Sequence, residues 1–372
     1  MDMKILTVLG TRPEAVKLAP VIMACEKTPG LRSVVCVTGQ HLEMLEPFLT
    51  LFGLRSAYDL KVMRPDQSLA GLTARVIERL DGVIAAERPA CVLVQGDTTT
   101  AMAAALTAHY HKVPVAHVEA GLRTPDRYDP FPEEMNRRLV SRLAGLHFAP
   151  TGWAKRNLLR EDVPAVDIFV TGNPVVDALA MMLKKSGPAL PDGLKVRRGG
   201  RLILVTAHRR ENLGPGLENV CRAVLDIIEK ASEAEVVFPV HLNPNVRKTV
   251  LPLLKGHPRI HLTEPLDYLT FVRLMNRAAL ILTDSGGIQE EAPSLGKPVV
   301  VMRRTTERPE AVQAGVAVLA GTDPEKITRL ALGLLKKADD AGFMRSIRKR
   351  NPFGDGRSGP RIARILKLHL GR

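Results

Sequence analysis

The chain has 372 residues, of which 45% are hydrophobic and 25% charged, a globular composition that excludes a disordered or fibrous protein. At about 100–200 residues per domain, this length predicts two or three domains. The 53 basic and 39 acidic residues give a formal net charge of +14, but residues 345–372 hold nine Lys or Arg against one acid, Asp355. With 4% aromatic residues and no RNP-like or zinc-finger pattern, we expect no nucleic-acid partner.

Neither a membrane segment nor a disulfide framework is predicted. The sequence contains no run of 18 apolar residues, and its first residues enter a strand pattern without the pattern of a signal peptide. We therefore expect a soluble, cytoplasmic protein with no membrane partner. The four cysteines are isolated in apolar surroundings, which predicts core thiols rather than disulfides or metal ligands. They are Cys25, Cys36, Cys91 and Cys221.

Runs rich in Val, Ile and Leu alternate with longer amphipathic stretches along the first half of the chain, a pattern typical of an α/β protein with a parallel sheet. Six buried strands are predicted, at 4–10, 33–39, 91–97, 113–121, 145–151 and 167–173. The segment 184–200 is rich in Gly, Pro and charge without periodicity, which indicates a linker. The first Rossmann-like domain is therefore predicted to occupy 1–185.

The alternation then restarts. Strands are predicted at 201–209, 235–243, 259–266, 280–287, 297–303 and 315–323, giving a second Rossmann-like domain over 200–355. A basic amphipathic helix over 356–372 is expected to pack back across the domains. Two such domains would face a central cleft at the carboxyl ends of their strands, where parallel sheets bind ligands.

The first predicted loop, GTRPEAVKLAP, offers Arg12 and Lys17 between a strand and a helix. It has one glycine and matches neither a dinucleotide fingerprint nor a Walker motif. Two interpretations stay open: cations for ligand phosphates, or a helix that begins with Pro13 and carries solvated cations.

Three acids follow strands or open a helix in the predicted first domain. Asp97 ends CVLVQGD, Glu119 ends VPVAHVEAG, and Glu133 lies in FPEEMNRR. An acid at the end of an apolar strand is costly unless it is paired or protonated. Together the three suggest proton transfer, although two alternatives remain: a helix cap by Asp97 or by one of the threonines that follow it, and a salt-bridged helix start for Glu133. Spacing alone does not establish that they converge.

Two segments of the predicted second domain suit anions. VTAHRREN places His208 beside two arginines after a strand. LILTDSGGIQEE places a Ser-Gly-Gly turn (285–287) between a strand and a helix, where free backbone amides can hold phosphate. Glu290 and Glu291 follow, either for ribose hydroxyls or to compensate the helix dipole.

Nine of these segments resemble, in order, the non-hydrolysing UDP-N-acetylglucosamine 2-epimerase family. They are GTRPEAVKLAP, TGQH, GDTTTA, HVEAGLRT, FPEEMNR, VTGNPVVD, TAHRREN, VHLNPNVR and LTDSGGIQEEAPSLGKPV. The resemblance implies a GT-B fold, a homodimer, no metal or other cofactor, and interconversion of UDP-GlcNAc and UDP-ManNAc for bacterial surface polysaccharides. In that reaction, anti elimination of UDP gives a 2-acetamidoglucal, to which UDP adds back.

The resemblance also implies residue roles. The catalytic set is Asp97, Glu119, Glu133 and His208. The UDP-binding set is Arg12, Lys17, Leu266, Phe271, Ser285, Gly286, Gly287, Glu291 and Arg308. The residues that resemble an allosteric site for a second UDP-GlcNAc are Gln40, His41, Arg209 and His241. Leu42 and Asp66 stand where family members often have basic residues, which makes this activation an open question here.

Several rival functions remain at this point. An NAD-dependent epimerase or dehydrogenase would need a dinucleotide fingerprint and usually a Tyr-xxx-Lys pair, and neither occurs. A GT-B glycosyltransferase shares the expected fold, and fold analogy does not exclude it. A UDP-sugar sensor, a hydrolysing 2-epimerase and an epimerase for a 2,3-diacetamido uronic acid are further alternatives.

Overall fold

The computed structural model describes residues 2–39, 42–64, 66–187, 190, 193–194, 196–197 and 199–371, with the backbone alone at 42–44. The chain forms two compact units. Unit 1 comprises the residues up to Ala178 together with those from Phe353 onward, and unit 2 comprises Leu179–Pro352. Six residues of the predicted linker, at 188, 189, 191, 192, 195 and 198, lie outside the described residues.

Unit 1 is built on a parallel sheet of seven strands in the order β3-β2-β1-β4-β5-β6-β7. Its elements up to the unit boundary are β1 (Met3–Leu9), α1 (Arg12–Glu26), β2 (Leu31–Val37), α2 (Leu42–Phe52), β3 (Tyr58–Asp59), α3 (Leu69–Glu87), β4 (Cys91–Gln95), α4 (Thr99–Tyr110), β5 (Val115–Val118), α5 (Glu133–Leu143), β6 (Leu146–Ala149), α6 (Gly152–Arg160), β7 (Ile168–Val170) and α7 (Pro174–Lys184). The boundary between the units falls inside α7.

Unit 2 contains a second parallel sheet, of six strands in the order β10-β9-β8-β11-β12-β13. Its elements are β8 (Arg201–Thr206), α8 (Pro215–Lys230), β9 (Ala234–Pro239), α9 (Pro244–Leu254), β10 (Ile260–Thr263), α10 (Tyr268–Arg277), β11 (Leu280–Thr283), α11 (Gly286–Ser294), β12 (Val299–Val301), α12 (Pro309–Gln313), β13 (Ala317–Leu319), α13 (Pro324–Leu335) and α14 (Ala341–Arg350). The last helix, α15 (Ser358–Leu370), belongs to unit 1.

Most strand residues are apolar and buried, and in unit 1 core clusters with helical residues cover both faces of the sheet. In β1, Ile5 and Leu9 pack into one core cluster, whereas Leu6 and Val8 pack into the cluster on the other side. This alternation with a period of two is the geometry of a strand, and burial on both faces explains the continuous hydrophobic runs.

The prediction of an α/β fold with two Rossmann-like domains and parallel sheets is confirmed. All twelve predicted strands are present, but each ends earlier than predicted because the sequence runs included the loop residues that follow each strand. Strand β3 was missed, since a two-residue strand leaves no periodic signal.

Both sheets have a topological switch point, where the order of the strands reverses. In unit 1 it lies between β1 and β4, and in unit 2 between β8 and β11. Ligands of open parallel sheets bind outside the carboxyl ends of the strands at such points. The loops after these four strands are therefore where the fold favours a site.

Helix α15 packs on α1 within unit 1. Ile362 and Leu366 are fully buried, and a Cβ at Gly359 would lie 2.6 Å from the carbonyl oxygen of Pro20, so the two helices approach closely. The Asp177 carboxylate accepts hydrogen bonds from the Ser358 and Gly359 amides at the start of the helix. This carboxylate satisfies donors that lack a partner within the helix.

The four cysteines are all buried free thiols, as predicted. Burial raises the pKa of each thiol to about 12, so each behaves as a small apolar side chain. Over the described part of the chain, no helix combines the length and apolar character that a membrane crossing requires.

Candidate active site

Glu119 directly follows β5 and is 5% exposed. Its Oε2 accepts hydrogen bonds from the Lys17 ammonium, at 2.5 Å, and from the Gln95 side-chain amide. Lys17 lies in the second turn of α1 and is largely buried, so it is a paired cation rather than a solvated one. These contacts satisfy a carboxylate that would otherwise be costly to bury.

The backbone of Glu119 has a φ of 65° in the left-handed region. A residue with a Cβ is strained there by about 1–2 kcal/mol, and such strain concentrates at functional sites. Because Glu119 follows the last residue of β5, it lies at the carboxyl end of the sheet.

Asp97 lies two residues beyond β4, which is the neighbour of β5 in the sheet. Its Oδ2 accepts a hydrogen bond of 2.6 Å from Arg137, and its carbonyl oxygen accepts one of 2.9 Å from the Asn136 amide. Helix α4 is capped by Thr98, whose hydroxyl accepts from the Ala101 amide. Of the caps that the sequence left open, an Asp or a Thr, the structure shows Thr98, and the side chain of Asp97 pairs with Arg137 instead.

Glu133 is the first residue of α5 and is half-buried. Its Oε2 is buried without a hydrogen-bond partner among the described residues. The ion pairs of this helix start belong to Glu134, which is fully buried and contacts Arg137 and Arg138. The salt bridges predicted at this helix start are therefore made by Glu134, and Oε2 of Glu133 is available to a ligand.

Two supporting residues of unit 1 had not been singled out from the sequence. Glu14 accepts from the Gly10 and Thr11 amides and from the hydroxyls of Thr11 and Thr98, which ties the loop after β1 to the loop after β4. Burial raises the pKa of Glu14 even though these donors oppose the shift. His117 donates through Nε2 to the Gly96 carbonyl at 2.8 Å, and burial lowers its pKa to about 3, so it is neutral.

Arg12 is exposed in the first turn of α1, with its guanidinium 5.6 Å from the centre of the Phe48 ring. Of the two cations predicted in this loop, Arg12 is exposed to solvent and Lys17 is largely buried. Its position after β1 at the switch point agrees with either of the two interpretations of the sequence.

In unit 2, Asp284 directly follows β11 and is fully buried. Its Oδ2 accepts from the amides of His208 and Arg209 and from the Asn212 side chain, at 2.9–3.1 Å. Its Oδ1 lies 3.7 Å from Nδ1 of His208. The His208 ring stacks on that of His241 with centroids 5.2 Å apart. Asp284 therefore fixes the loop after β8, a role that its place at the end of an apolar strand could have indicated.

The start of α11 carries two guanidinium groups above a glycine. A Cβ at Gly286 would lie 2.9 Å from Nη1 of Arg308 and 3.6 Å from Nη2 of Arg209. The Arg308 Nε donates to Glu290, at 2.7 Å, and both side chains are buried. Ser285 precedes the helix as its cap residue. Backbone amides and two cations at a helix N-terminus form an arrangement suited to phosphate.

The two consecutive acids of α11 differ in environment. Glu290 is fully buried in the pair with Arg308, whereas Glu291 is half-buried. Leu266, between β10 and α10, and Phe271, in the first turn of α10, are also half-buried. The binding roles of Glu291, Leu266 and Phe271 stay predictions.

Of the four predicted allosteric residues, the structure describes two. Gln40 and His41 lie outside the described residues, and only the backbone of Leu42, at the start of α2, is described. Arg209 and His241 are described and flank His208 in unit 2, and Asp66 is exposed with a φ of 50°. Activation by a second ligand stays a prediction. Among the described side chains, no three of His, Cys, Asp or Glu come together as a metal-binding group.

In unit 1, carboxylates follow β4 and β5 of the switch-point sheet. In unit 2, a helix N-terminus flanked by arginines follows β11. These features define a two-domain Rossmann-like α/β enzyme. A family model described as UDP-N-acetylglucosamine 2-epimerase matches residues 23–367. A UDP-N-acetylglucosamine 2-epimerase of Yersinia pestis is 52% identical over 374 residues, covering 99% of both chains. The chain belongs to the UDP-N-acetylglucosamine 2-epimerase family, which supports the corresponding 2-epimerase activity.

Solved structures agree with this assignment. A putative UDP-N-acetylglucosamine 2-epimerase from Listeria monocytogenes is 44% identical with a TM-score of 0.91, and the match covers 100% of this chain and 97% of that one. The UDP-GlcNAc 2-epimerase from Neisseria meningitidis bound to UDP-GlcNAc is 46% identical with a TM-score of 0.88, covering 98% and 100%.

Proposed function

We propose that the chain interconverts UDP-GlcNAc and UDP-ManNAc without hydrolysis, by elimination of UDP and its re-addition. Family membership and the Neisseria relative bound to UDP-GlcNAc support this substrate. The observation that carries the proposal is the pair of carboxylates, Asp97 and Glu119, at the carboxyl ends of adjacent strands and each held by a cation. Glu133, with a buried oxygen that lacks a partner in the described chain, completes the set.

In the first step, one carboxylate accepts the proton from C2 of the sugar while the bond between C1 and the UDP oxygen breaks. The products are UDP and an enzyme-bound 2-acetamidoglucal. The C2 proton is barely acidic, so departure of UDP must develop positive charge at C1 as the proton leaves. In the return step a second acid delivers a proton to the opposite face of C2 and the bond to UDP re-forms. Asp97, Glu119 and Glu133 supply these acids and bases, and the proposal does not assign any of them to a particular face of C2.

Departing UDP carries growing negative charge, which fixed cations and amides stabilise. Arg308, the Ser285-Gly286-Gly287 turn and Glu291 would hold the diphosphate and ribose, with Leu266 and Phe271 beside the uracil. His208, held by Asp284, would assist departure and return of UDP. Arg12 and Lys17 complete the proposed UDP-binding set.

The remaining features of the proposal come from the family resemblance. We expect a cytoplasmic homodimer that requires no metal and no nicotinamide and whose product enters synthesis of a bacterial surface polysaccharide. Light scattering coupled to gel filtration measures the oligomeric state.

The deciding experiment incubates the purified protein with UDP-GlcNAc in D2O, without added metal or NAD, and follows the sugar by proton NMR. Appearance of UDP-ManNAc with deuterium at C2 is the expected result. Free UDP with N-acetylmannosamine would identify a hydrolysing epimerase. Ligand binding without any exchange at C2 would refute the proposed reaction and favour a sensor or an enzyme for another UDP-sugar, such as a 2,3-diacetamido uronic acid.

A further inference from the structure

Arg303 is a buried arginine that the proposed reaction does not use. It lies two residues beyond β12 and is 6% exposed. Its Nε donates to Glu211 at 2.6 Å, and its two terminal nitrogens donate to the two oxygens of Glu307 at 2.8 and 3.2 Å. One planar guanidinium therefore joins two acids that are 96 residues apart in sequence.

Each acid belongs to a segment that carries one of the two guanidinium groups above Gly286. Glu211 lies in the short turn Arg210–Asn212 that directly follows Arg209. Glu307 precedes Arg308, and its Oε2 lies 3.5 Å from Nη1 of Arg308. Arg303 thus links the two segments whose guanidinium groups meet above Gly286.

The charges in this cluster alternate from one end to the other. Burial by itself would raise the pKa of Glu307, but Arg308 and Arg303 outweigh it and hold the pKa at about 2. Burial would likewise lower the pKa of Arg303, and the pairs with Glu307 and Glu211 more than compensate. Glu307 is therefore an anion between two cations, one of which is Arg308.

An anion beside Arg308 competes with a phosphate for the same guanidinium. Arg303 engages both oxygens of Glu307 and leaves it at the longer distance of 3.5 Å from Arg308. Without Arg303, the carboxylate would retain Arg308 as its remaining strong partner and would close on it, because a buried unpaired charge is costly.

We propose that Arg303 is a positioning residue for the UDP site, which limits Glu307 to a long contact with Arg308 and fixes the segment that carries Arg209. This inference rests on the proposed role of Arg308 in binding UDP. Arg303 itself contacts no substrate atom in this scheme.

The surroundings of Arg303 permit a direct test. It lines a cleft of about 830 Å³ within unit 2, together with Arg304, Thr322 and Lys326. Small cations can enter a space of this size, so guanidinium ion added to an Arg303→Ala protein can occupy the vacated position between the two carboxylates.

The experiment measures UDP affinity by isothermal titration calorimetry and thermal stability for each variant. Arg303→Ala is expected to bind UDP at least about 10-fold more weakly, with recovery of most of the affinity on addition of guanidinium ion at a non-denaturing concentration. Arg303→Lys keeps the charge but lacks the planar fork, so we expect several-fold weaker binding and no response to guanidinium ion. It also serves as the test if Arg303→Ala does not fold.

The matched control is Arg259→Ala in the same unit, which removes a half-buried guanidinium that donates to the Ala231 and Ala234 carbonyls. It should change stability without changing UDP affinity. If both Arg303 variants bind UDP as the wild type does, or if Arg303→Ala shows no recovery, the positioning role is refuted. If wild-type protein binds no UDP, or Arg308→Ala binds it normally, the proposed UDP site itself fails.

Discussion

Alanine at Gly286 tests the proposed phosphate site through a single added carbon. The new Cβ would lie 2.9 Å from Nη1 and 3.2 Å from Cζ of Arg308. Ordinary contact begins at 3.4 Å, so the guanidinium must shift by at least about 0.5 Å. This shift would weaken the hydrogen bond of 2.7 Å that the Arg308 Nε donates to the buried Glu290.

The size of the effect follows from the bond that the shift disturbs. A hydrogen bond to a charged group contributes about 1.5–3 kcal/mol. Displacement of Arg308 from a bound phosphate by a comparable amount would weaken UDP about 10- to 100-fold. Gly287→Ala is the stability control, since a Cβ there meets nothing within 4 Å. Gly286→Ala should unfold at a lower temperature than Gly287→Ala, although each change adds the same helix propensity.

A double-mutant cycle separates the role of Arg308 from a direct clash between the new methyl group and UDP. Titration calorimetry with UDP is performed on wild type, Gly286→Ala, Arg308→Ala and the double variant. If the added carbon acts by moving Arg308, it costs little further affinity once Arg308 is absent. Gly286→Ala with wild-type affinity, or an equal additional loss in the Arg308→Ala background, would refute the reasoning.

Three further predictions concern unit 1. Asp97→Asn or Glu119→Gln should lose deuterium exchange at C2 while still binding UDP in calorimetry, and full activity in either variant would remove that acid from the proposed catalytic set. Gly121→Ala should lower the free energy of unfolding by about 2–5 kcal/mol, because its φ is 91° and the new Cβ would lie 2.3 Å from the Ala154 carbonyl oxygen. The control is Gly145→Ala, where a Cβ meets open space, and urea denaturation should show little change for it. Burial lowers the pKa of His117 to about 3, so below about pH 6.5 the unfolded chain binds a proton that the folded chain does not. The free energy of unfolding should therefore fall by up to about 1.4 kcal/mol per pH unit from about pH 6.5 toward pH 3. His117→Gln should reduce this slope, and an unchanged slope would contradict the prediction.

Local sequence pattern was sufficient for the parallel sheets. The continuous hydrophobic runs that contain β1 and β4 predict strands buried on both faces, and the polar residues just beyond them mark the carboxyl ends. This is why Lys17, Asp97 and Glu119 could be selected from their positions, and the sheet order then places the loops that carry them beside one another.

The same pattern gave no means of choosing between adjacent acids. Glu133 and Glu134 are neighbours in one helix start, as are Glu290 and Glu291 in α11. Successive residues of a helix point about 100° apart, so which one is buried depends on what the helix packs against. The structure pairs Glu134 and Glu290 with arginines, including Arg308, 18 residues away.

The sequence by itself determined the strand and helix alternation, the two-part organisation and, through nine ordered motifs, the family. Its hydrophobic periodicity is local, and local periodicity specifies elements and their buried faces. Only the tertiary structure decided that Glu14 joins two loops, that Asp284 holds the His208 loop and that Arg303 links Glu211 with Glu307. These contacts join residues that are far apart in the chain, and their partners are fixed by strand order and burial rather than by spacing.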